Sequence, residues 1–388
     1  MPAAHGSHRQ DGIGEMGGAG IHPELAARME AAVGGGVFPG GALLVRLGGE
    51  TVHRSFHGRR SLEPPGGPVG ETTCFDLASL TKVLATTPLV LLAIQRGRLG
   101  LEDAVAGRLE GYTGAGREAL TLRMLLEHSG GLPAWRPFYR TVAEAEGGRW
   151  LATARGRELI RHLAAAETPE APPGIRTCYS DLGFILLDWI LERATGLPAD
   201  RLFAEWLAGP LGLGELFFVD LTRPAAARAG RSFAATERCP WRGRTLVGEV
   251  HDDNCYAAGG VGGQAGLFGT LDGVAALAEV WLSSWRADGG LLDRRLVREF
   301  WTKSKVPGST RAVGFDTPSP EGSQAGSGFG PRTVGHLGFT GTSLWIDPER
   351  ELLVVLLTNR VHPSRANQAI RQFRPALHTA VAEIYARR

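Results

Sequence analysis

The chain has 388 residues, 43% hydrophobic and 21% charged, a globular balance with enough apolar side chains for a large core. Its 42 basic and 40 acidic residues leave a formal net charge of +2 with no basic run, which argues against nucleic acid or an anionic membrane surface as a partner. No apolar stretch reaches the roughly 18 residues a bilayer-spanning helix needs, and the first twenty residues hold no apolar segment of the signal-peptide kind, so a cytoplasmic protein is expected.

Residues 1–20 are aperiodic and predicted to be a flexible tail. A helix is predicted from Pro23 to Val33, with Leu25, Met29 and Val33 on one face. The runs Ala42–Leu47 and Thr51–Phe56, joined at Gly48-Gly49, read as a β-hairpin. Ser79–Gln95 is an apolar helix that Pro88 should kink or end, and Leu182–Ala194 is a second, stopped by Gly196 and Pro198. Between the chain ends the pattern is largely helical. Ser343–Ile346 and Glu351–Thr358 flank Asp347-Pro348-Glu349-Arg350 as a late hairpin, and a final helix is predicted from about Arg365 onward. Strands at both ends with helices between them imply an α/β fold with one sheet built from the two ends of the chain and a helical lobe inserted into it. The four cysteines Cys74, Cys178, Cys239 and Cys255 have neither zinc-type nor disulfide-framework spacing and are expected to be reduced.

Only three of the 42 basic residues are lysines: Lys82, Lys303 and Lys305. In a chain that uses arginine almost everywhere each lysine asks for a reason: a guanidinium does not give up its proton in a protein, whereas a lysine amine can be tuned to act as a base. Lys303 and Lys305 are expected to be solvated. Lys82 lies three residues after Ser79 in Ser79-Leu80-Thr81-Lys82. That helical spacing puts the amine against the hydroxyl, while the helix N-terminus favours a developing negative charge. The plainer reading makes Ser79 a helix cap and Lys82 a solvated charge. Tyr179-Ser180-Asp181 precedes the second apolar helix; Tyr179 could relay a proton, whereas Asp181 sits where a helix cap would sit. His336-Leu337-Gly338-Phe339 leads into the late hairpin, where small residues would let a substrate lie along a strand edge; His336 could equally be an ordinary surface histidine.

In this order, S-x-x-K, Y-x-[ND] and H-x-G resemble the serine β-lactamase and penicillin-binding protein superfamily, most closely class C β-lactamases, DD-peptidases and family VIII esterases. The segments Leu122–Pro133, Ala258–Thr270 and Gly335–Asp347 extend the resemblance, which runs from about Pro39 to Arg360. It implies Ser79 as acylated nucleophile, Lys82 as base, Tyr179 as proton relay, an oxyanion hole from the Ser79 and Phe339 amides, and His336 in the place of a family lysine or histidine. Asp181, Leu337 and Gly338 would complete the substrate-binding wall. The expected architecture is β-lactamase/transpeptidase-like, in one domain over residues 21–388: a sheet lobe of about 21–75 and 290–388 and a helical lobe of about 76–289.

Two departures matter. Leu337 replaces the threonine whose hydroxyl helps hold a substrate carboxylate, and Asp181 replaces an asparagine. A carboxylate beside Lys82 should raise the lysine and leave it charged to stabilise a Tyr179 phenolate. The expected function is hydrolysis of a small ester or amide by an intracellular esterase or amidase, without metal or organic cofactor and with a preference for neutral acyl substrates. A β-lactamase or DD-peptidase acting on cell-wall fragments, and a silent ligand-binding relative, are the alternatives. The glycine-rich Gly259–Gly266 lacks the preceding strand of a dinucleotide site. His251-Asp252-Asp253 reads as a loop at the rim of the active site rather than a metal centre, since three adjacent residues converge poorly on one ion.

Overall fold

A computed structural model of the chain describes residues 20–114 and 116–385, so the predicted tail lies outside the described residues apart from Gly20. The main sheet has five antiparallel strands in the order Glu50–Gly58, Gly40–Leu47, Leu352–Thr358, Ser343–Asp347, Val334–Leu337. The two terminal hairpins meet at its centre, where Val45 pairs with Val354. Leu352–Thr358 reads LLVVLLT without alternation because every residue of it is buried, both faces of the sheet being covered.

Side-chain alternation sorts each strand between the two covering layers. Leu43, Val45, Val354 and Leu356 face the terminal helices Pro23–Gly34 and Ile370–Tyr385, packing with Leu25, Met29, Leu377 and Val381. Ala42, Leu44, Leu353 and Val355 face the other way, into the larger core built with the middle of the chain. That middle part is not all helical. A small sheet orders Leu216–Phe218, Leu267–Gly269, Thr73–Asp76 and Ser232–Phe233, strands of two to four residues. Such short strands carry too few alternating positions to register in a sequence pattern.

Pro88 does not end the helix it sits in. Lys82–Thr86 widens into a π turn, the Thr87 amide reaching back to the Lys82 carbonyl, and Thr87–Gln95 continues as α-helix. Widening the turn accommodates a residue that has no amide hydrogen to donate. The last helix starts at Ile370, five residues later than expected, after the turns around Asn367.

The layer beneath the sheet contains a pH-sensitive contact. Buried His378 donates Nδ1–H to the Gln324 carbonyl at 2.8 Å and accepts from Ser343 Oγ at 3.2 Å, and burial lowers its pKa to about 4. A histidine depressed in the folded state costs nothing above its unfolded pKa. As pH falls from 6.5 toward about 4 the unfolded chain takes up the proton first, so stability is lost over that window. The loss attributable to this residue is up to about 3 kcal/mol. Denaturant midpoints between pH 7 and pH 4 should therefore fall less steeply in His378→Gln than in the native protein; parallel slopes would show that another group carries the acid sensitivity.

Candidate active site

The strand Thr73–Asp76 delivers the chain to Ser79 through a tight turn. Ala78 sits at φ +49°, a region costly for a residue with a Cβ. Surrounding contacts hold it there: its amide donates to Asp76 Oδ1 at 2.8 Å, and its carbonyl accepts from Thr81 Oγ1 at 2.7 Å. The loop 338–342 is tied to the same turn, Thr340 Oγ1 donating to the Asp76 carbonyl and Thr342 Oγ1 to the Leu77 carbonyl. Gly338 lies so close that a Cβ there would meet Thr342 Oγ1 at 1.9 Å. Among the described residues neither the Ser79 nor the Phe339 amide has a hydrogen-bond partner, and both residues line the same cleft. Free amides in a cleft with a serine hydroxyl are the kind of donor that can meet an oxyanion.

Lys82 is fully buried, and its Nζ donates to Ser79 Oγ at 3.2 Å, Asp181 Oδ1 at 2.7 Å and the Gln264 carbonyl at 2.9 Å. It is therefore not a solvated charge. Asp181 is not a helix cap either: Ser180 holds the cap position of the helix Asp181–Thr195, and the Asp181 carboxylate turns to Lys82. Burial pushes the Lys82 ammonium down, but Asp181 and Tyr179 outweigh it and the net shift is upward. Tyr179 also moves up, first through burial and further through Asp181, against the opposing pull of Lys82 and a hydrogen bond with Ser79. The resting site is thus an ammonium–carboxylate pair beside a neutral phenol, and the phenolate expected from the sequence is disfavoured by burial.

Two histidines frame the tyrosine ring. His336 is buried in the strand Val334–Leu337, not exposed at its end. Its Nδ1–H donates to the Leu337 carbonyl at 2.8 Å, and Nε2 has no partner among the described residues. Burial, then Lys82 and Arg311, pushes its pKa well below 6.5, so it is a neutral ring 5.8 Å from that of Tyr179. His128 packs on Tyr179 at 4.5 Å and accepts the Ser180 amide through Nδ1 at 3.1 Å. Burial holds it neutral too. The sequence reading passed over His128 although it lies in the Leu122–Pro133 segment, because a histidine in a turn has no pattern that marks a stacking role.

Gln264 was also missed. Its carbonyl receives Lys82 because the glycine-rich stretch lies against both apolar helices: Thr86 Oγ1 donates to the Gly263 carbonyl at 2.7 Å, and a Cβ on Gly263 would meet the Phe184 carbonyl at 2.3 Å. His251, Asp252 and Asp253 do line the cleft as a rim loop. Asp252 Oδ1 accepts from the Cys255 amide at 2.7 Å and Gln264 Nε2 at 3.3 Å. Burial, then Asp181, raises its pKa to about 6. His251 stacks on Phe339 at 5.6 Å, and Asp253 pairs with Arg242 at 2.9 Å.

The cleft has a volume of about 740 Å³ and brings together Ser79, Tyr179, Asp181, His336, Leu337, Gly338 and Phe339. Leu337 lies there, as do Arg311, Arg360, Arg371 and Arg374. Arg360 and Arg374 are buried and donate to backbone carbonyls: Arg360 to Phe339 O at 2.8 Å, Arg374 to Gly338 O at 2.8 Å and Thr342 O at 3.0 Å. Among the described residues Arg360, Arg371 and Arg374 have no carboxylate at ion-pair distance. Burial, followed by neighbouring arginines, lowers Arg360 to about 10 and Arg374 to about 9. Arg311 by contrast pairs with Asp316 at 3.5 Å, and Asp252 and Asp253 line the same cleft.

The α/β scaffold thus brings together a hydroxyl held by a buried lysine, a neighbouring phenol and two amides without partners among the described residues. The sequence profile of the Beta-lactamase family matches residues 25–377, and the chain belongs to that family. It is 34% identical over 320 residues to a putative D-alanyl-D-alanine carboxypeptidase of Escherichia coli (strain K12), covering 76% of this chain and 71% of that protein. An N-acetylmuramyl-L-alanine amidase of Bacillus subtilis (strain 168) is 30% identical over 354 residues, covering 84% and 78%. Among solved structures, the octameric penicillin-binding protein homologue from Pyrococcus abyssi superposes with a TM-score of 0.71 at 19% identity, over 94% of this chain and 77% of that one. EstCE1, a hydrolase with promiscuous acyltransferase activity, gives 0.67 at 22%, over 90% and 97%. These two likenesses establish the fold. No described helix is long and apolar enough to cross a membrane.

Proposed function

We propose that the protein is a serine hydrolase that cleaves an amide bond in a carboxylate-bearing, cell-wall-derived peptide through an acyl-Ser79 intermediate. The observation that carries the reading is the buried Lys82 Nζ in contact with both Ser79 Oγ and Asp181. The reactive form is the one in which the Lys82–Tyr179 pair has given up one proton to solvent; that pair then takes the Ser79 hydroxyl proton as Oγ bonds to the carbonyl carbon, and the oxyanion is met by the Ser79 and Phe339 amides. Tyr179 protonates the departing amine, and water then releases the acid. Esters, with their better leaving groups, are the easier substrates of the same site. The curated relatives are named for amide hydrolysis, which supports an amide as the natural bond.

The arginine wall changes the expected acyl preference. Leu337 removes one donor to a substrate carboxylate, but Arg360, Arg371 and Arg374, none of them ion-paired among the described residues, line the same cleft. A hydrogen bond to a charged group contributes about 1.5–3 kcal/mol. The native enzyme should therefore favour a peptide with a free carboxylate over its carboxamide by roughly ten- to a hundredfold in kcat/KM. Arg371 is exposed, and Arg371→Gln should reduce that ratio by about tenfold. A native ratio of one or less would restore the neutral preference.

The role of Asp181 has a signed test. Asp181 raises both Lys82 and Tyr179, so its loss lowers whichever of them must give up a proton. The ascending limb of kcat/KM against pH should move to lower pH in Asp181→Asn. An unmoved limb would leave Asp181 without a part in the ionisation.

A further inference from the structure

The cleft opens onto a row of aromatic rings that the acyl-transfer chemistry does not use. Trp135 is 42% exposed and Trp241 36% exposed, two of the few large apolar side chains left in solvent among the described residues. They are joined by Tyr139 and Tyr256, with ring centroids 6.4 Å apart from Trp135 to Tyr139, 4.9 Å from Tyr139 to Trp241 and 5.6 Å from Trp241 to Tyr256. The row is anchored at the start of the helix Asp181–Thr195, since the Ala134 carbonyl, one residue before Trp135, accepts the Asp181 amide at 3.0 Å. Trp241 Nε1 donates to Asp253 Oδ1 at 2.9 Å, and Asn254 clamps the start of the helix Phe138–Glu144 by accepting the Tyr139 amide and donating to the Arg136 carbonyl. These bonds hold Trp241 and the backbone of Tyr139 before any ligand arrives.

We infer that this row is a saccharide subsite that stacks an N-acetylated amino sugar carried on the acyl side of the substrate. Flat apolar faces with polar edges suit a pyranose ring, whose C–H face packs on an indole while its hydroxyls stay hydrated. Arg140 Nε reaches Tyr139 Oη at 3.3 Å, and Arg244 Nη2 reaches Tyr256 Oη at 3.5 Å, so hydrogen-bonding groups border the rings. An anionic lipid surface fits poorly, because Arg136 beside Trp135 is already paired with Glu167 and Glu170. The inference rests on the proposed amide hydrolysis: the Bacillus subtilis relative is named for an N-acetylmuramyl-L-alanine bond, in which the sugar adjoins the scissile amide.

The test uses the full chain carrying Ser79→Ala, so that ligands bind without turnover. N-acetylmuramyl-L-alanyl-D-isoglutamine and the sugar-free D-lactoyl-L-alanyl-D-isoglutamine are titrated calorimetrically, with tryptophan fluorescence read in parallel. The muramyl ligand should bind about tenfold more tightly or better and perturb the fluorescence. Adding Trp135→Ala with Trp241→Ala should erase the difference, while Trp135→Phe with Trp241→Phe, which keeps flat apolar faces, should retain most of it. Equal binding of the two ligands, binding of neither, or a preference that survives the double alanine variant would overturn the subsite. So would a dimer in sedimentation that becomes monomeric in Trp135→Ala with Trp241→Ala, which would place the tryptophans in an interface between copies. Labelling native Ser79 with a fluorophosphonate separates the two ideas: a labelled serine with no sugar preference removes only the subsite, and an unlabelled serine removes the hydrolase reading beneath it.

Discussion

Ser79→Ala should reduce hydrolysis of p-nitrophenyl esters and of the natural amide to background and abolish covalent fluorophosphonate labelling. Losing a nucleophile that works as a unit with its base costs on the order of 10⁶-fold in kcat. The fold should survive, because the hydroxyl's contact with Lys82 Nζ at 3.2 Å is long and a net hydrogen bond contributes about 1 kcal/mol. Two neighbouring serines are the competing nucleophiles. Ser129 is buried, and Ser180 is buried with its hydroxyl donating to the Pro133 carbonyl at 2.6 Å. An adduct mapped by mass spectrometry to either would overturn the assignment of Ser79.

Lys82→Arg is the second large effect. The lysine amine is fully buried and satisfies three acceptors at once, so the slot has no room for a planar guanidinium with a fixed fork of donors. Turnover should fall by about 10²–10⁴-fold, the range for losing a general base, and overpacking should cost about 1–3 kcal/mol of stability. A misfolded variant is separated from a chemically silent one by Lys82→Ala assayed with added propylamine. Partial rescue by the free amine, with a pH dependence that follows the amine's own pKa, is expected. Native-like activity in Lys82→Arg would remove Lys82 from the chemistry, even though this chain otherwise uses arginine freely.

The placement of Asp181 shows how far local sequence rules reach. An acidic residue before an apolar helix satisfies the cap pattern, yet the actual cap is Ser180, and the carboxylate crosses to a lysine 99 positions earlier. Local propensity ranks what a residue can do for its own helix and is silent about a partner brought in by folding. His336 is a similar case: one residue at a strand end is compatible with exposure or burial, and only the closing of the sheet against the middle of the chain decides for burial. The expected preference for neutral substrates weighed Leu337 alone, whereas Arg360, Arg371 and Arg374 reach the same cleft from the far end of the chain.

By itself, the sequence determined the terminal hairpins, the two apolar helices and the order of the three motifs. Each depends on side-chain periodicity or on a spacing of a few residues along one helix. The scarcity of lysine singled out Lys82 from composition alone. Tertiary structure decided what surrounds that lysine: Asp181, the Gln264 carbonyl, the stacked His128 and the arginine wall. These groups are separated by tens to hundreds of residues, and their effect on protonation comes from burial and from distances of a few ångströms, which a linear pattern does not encode.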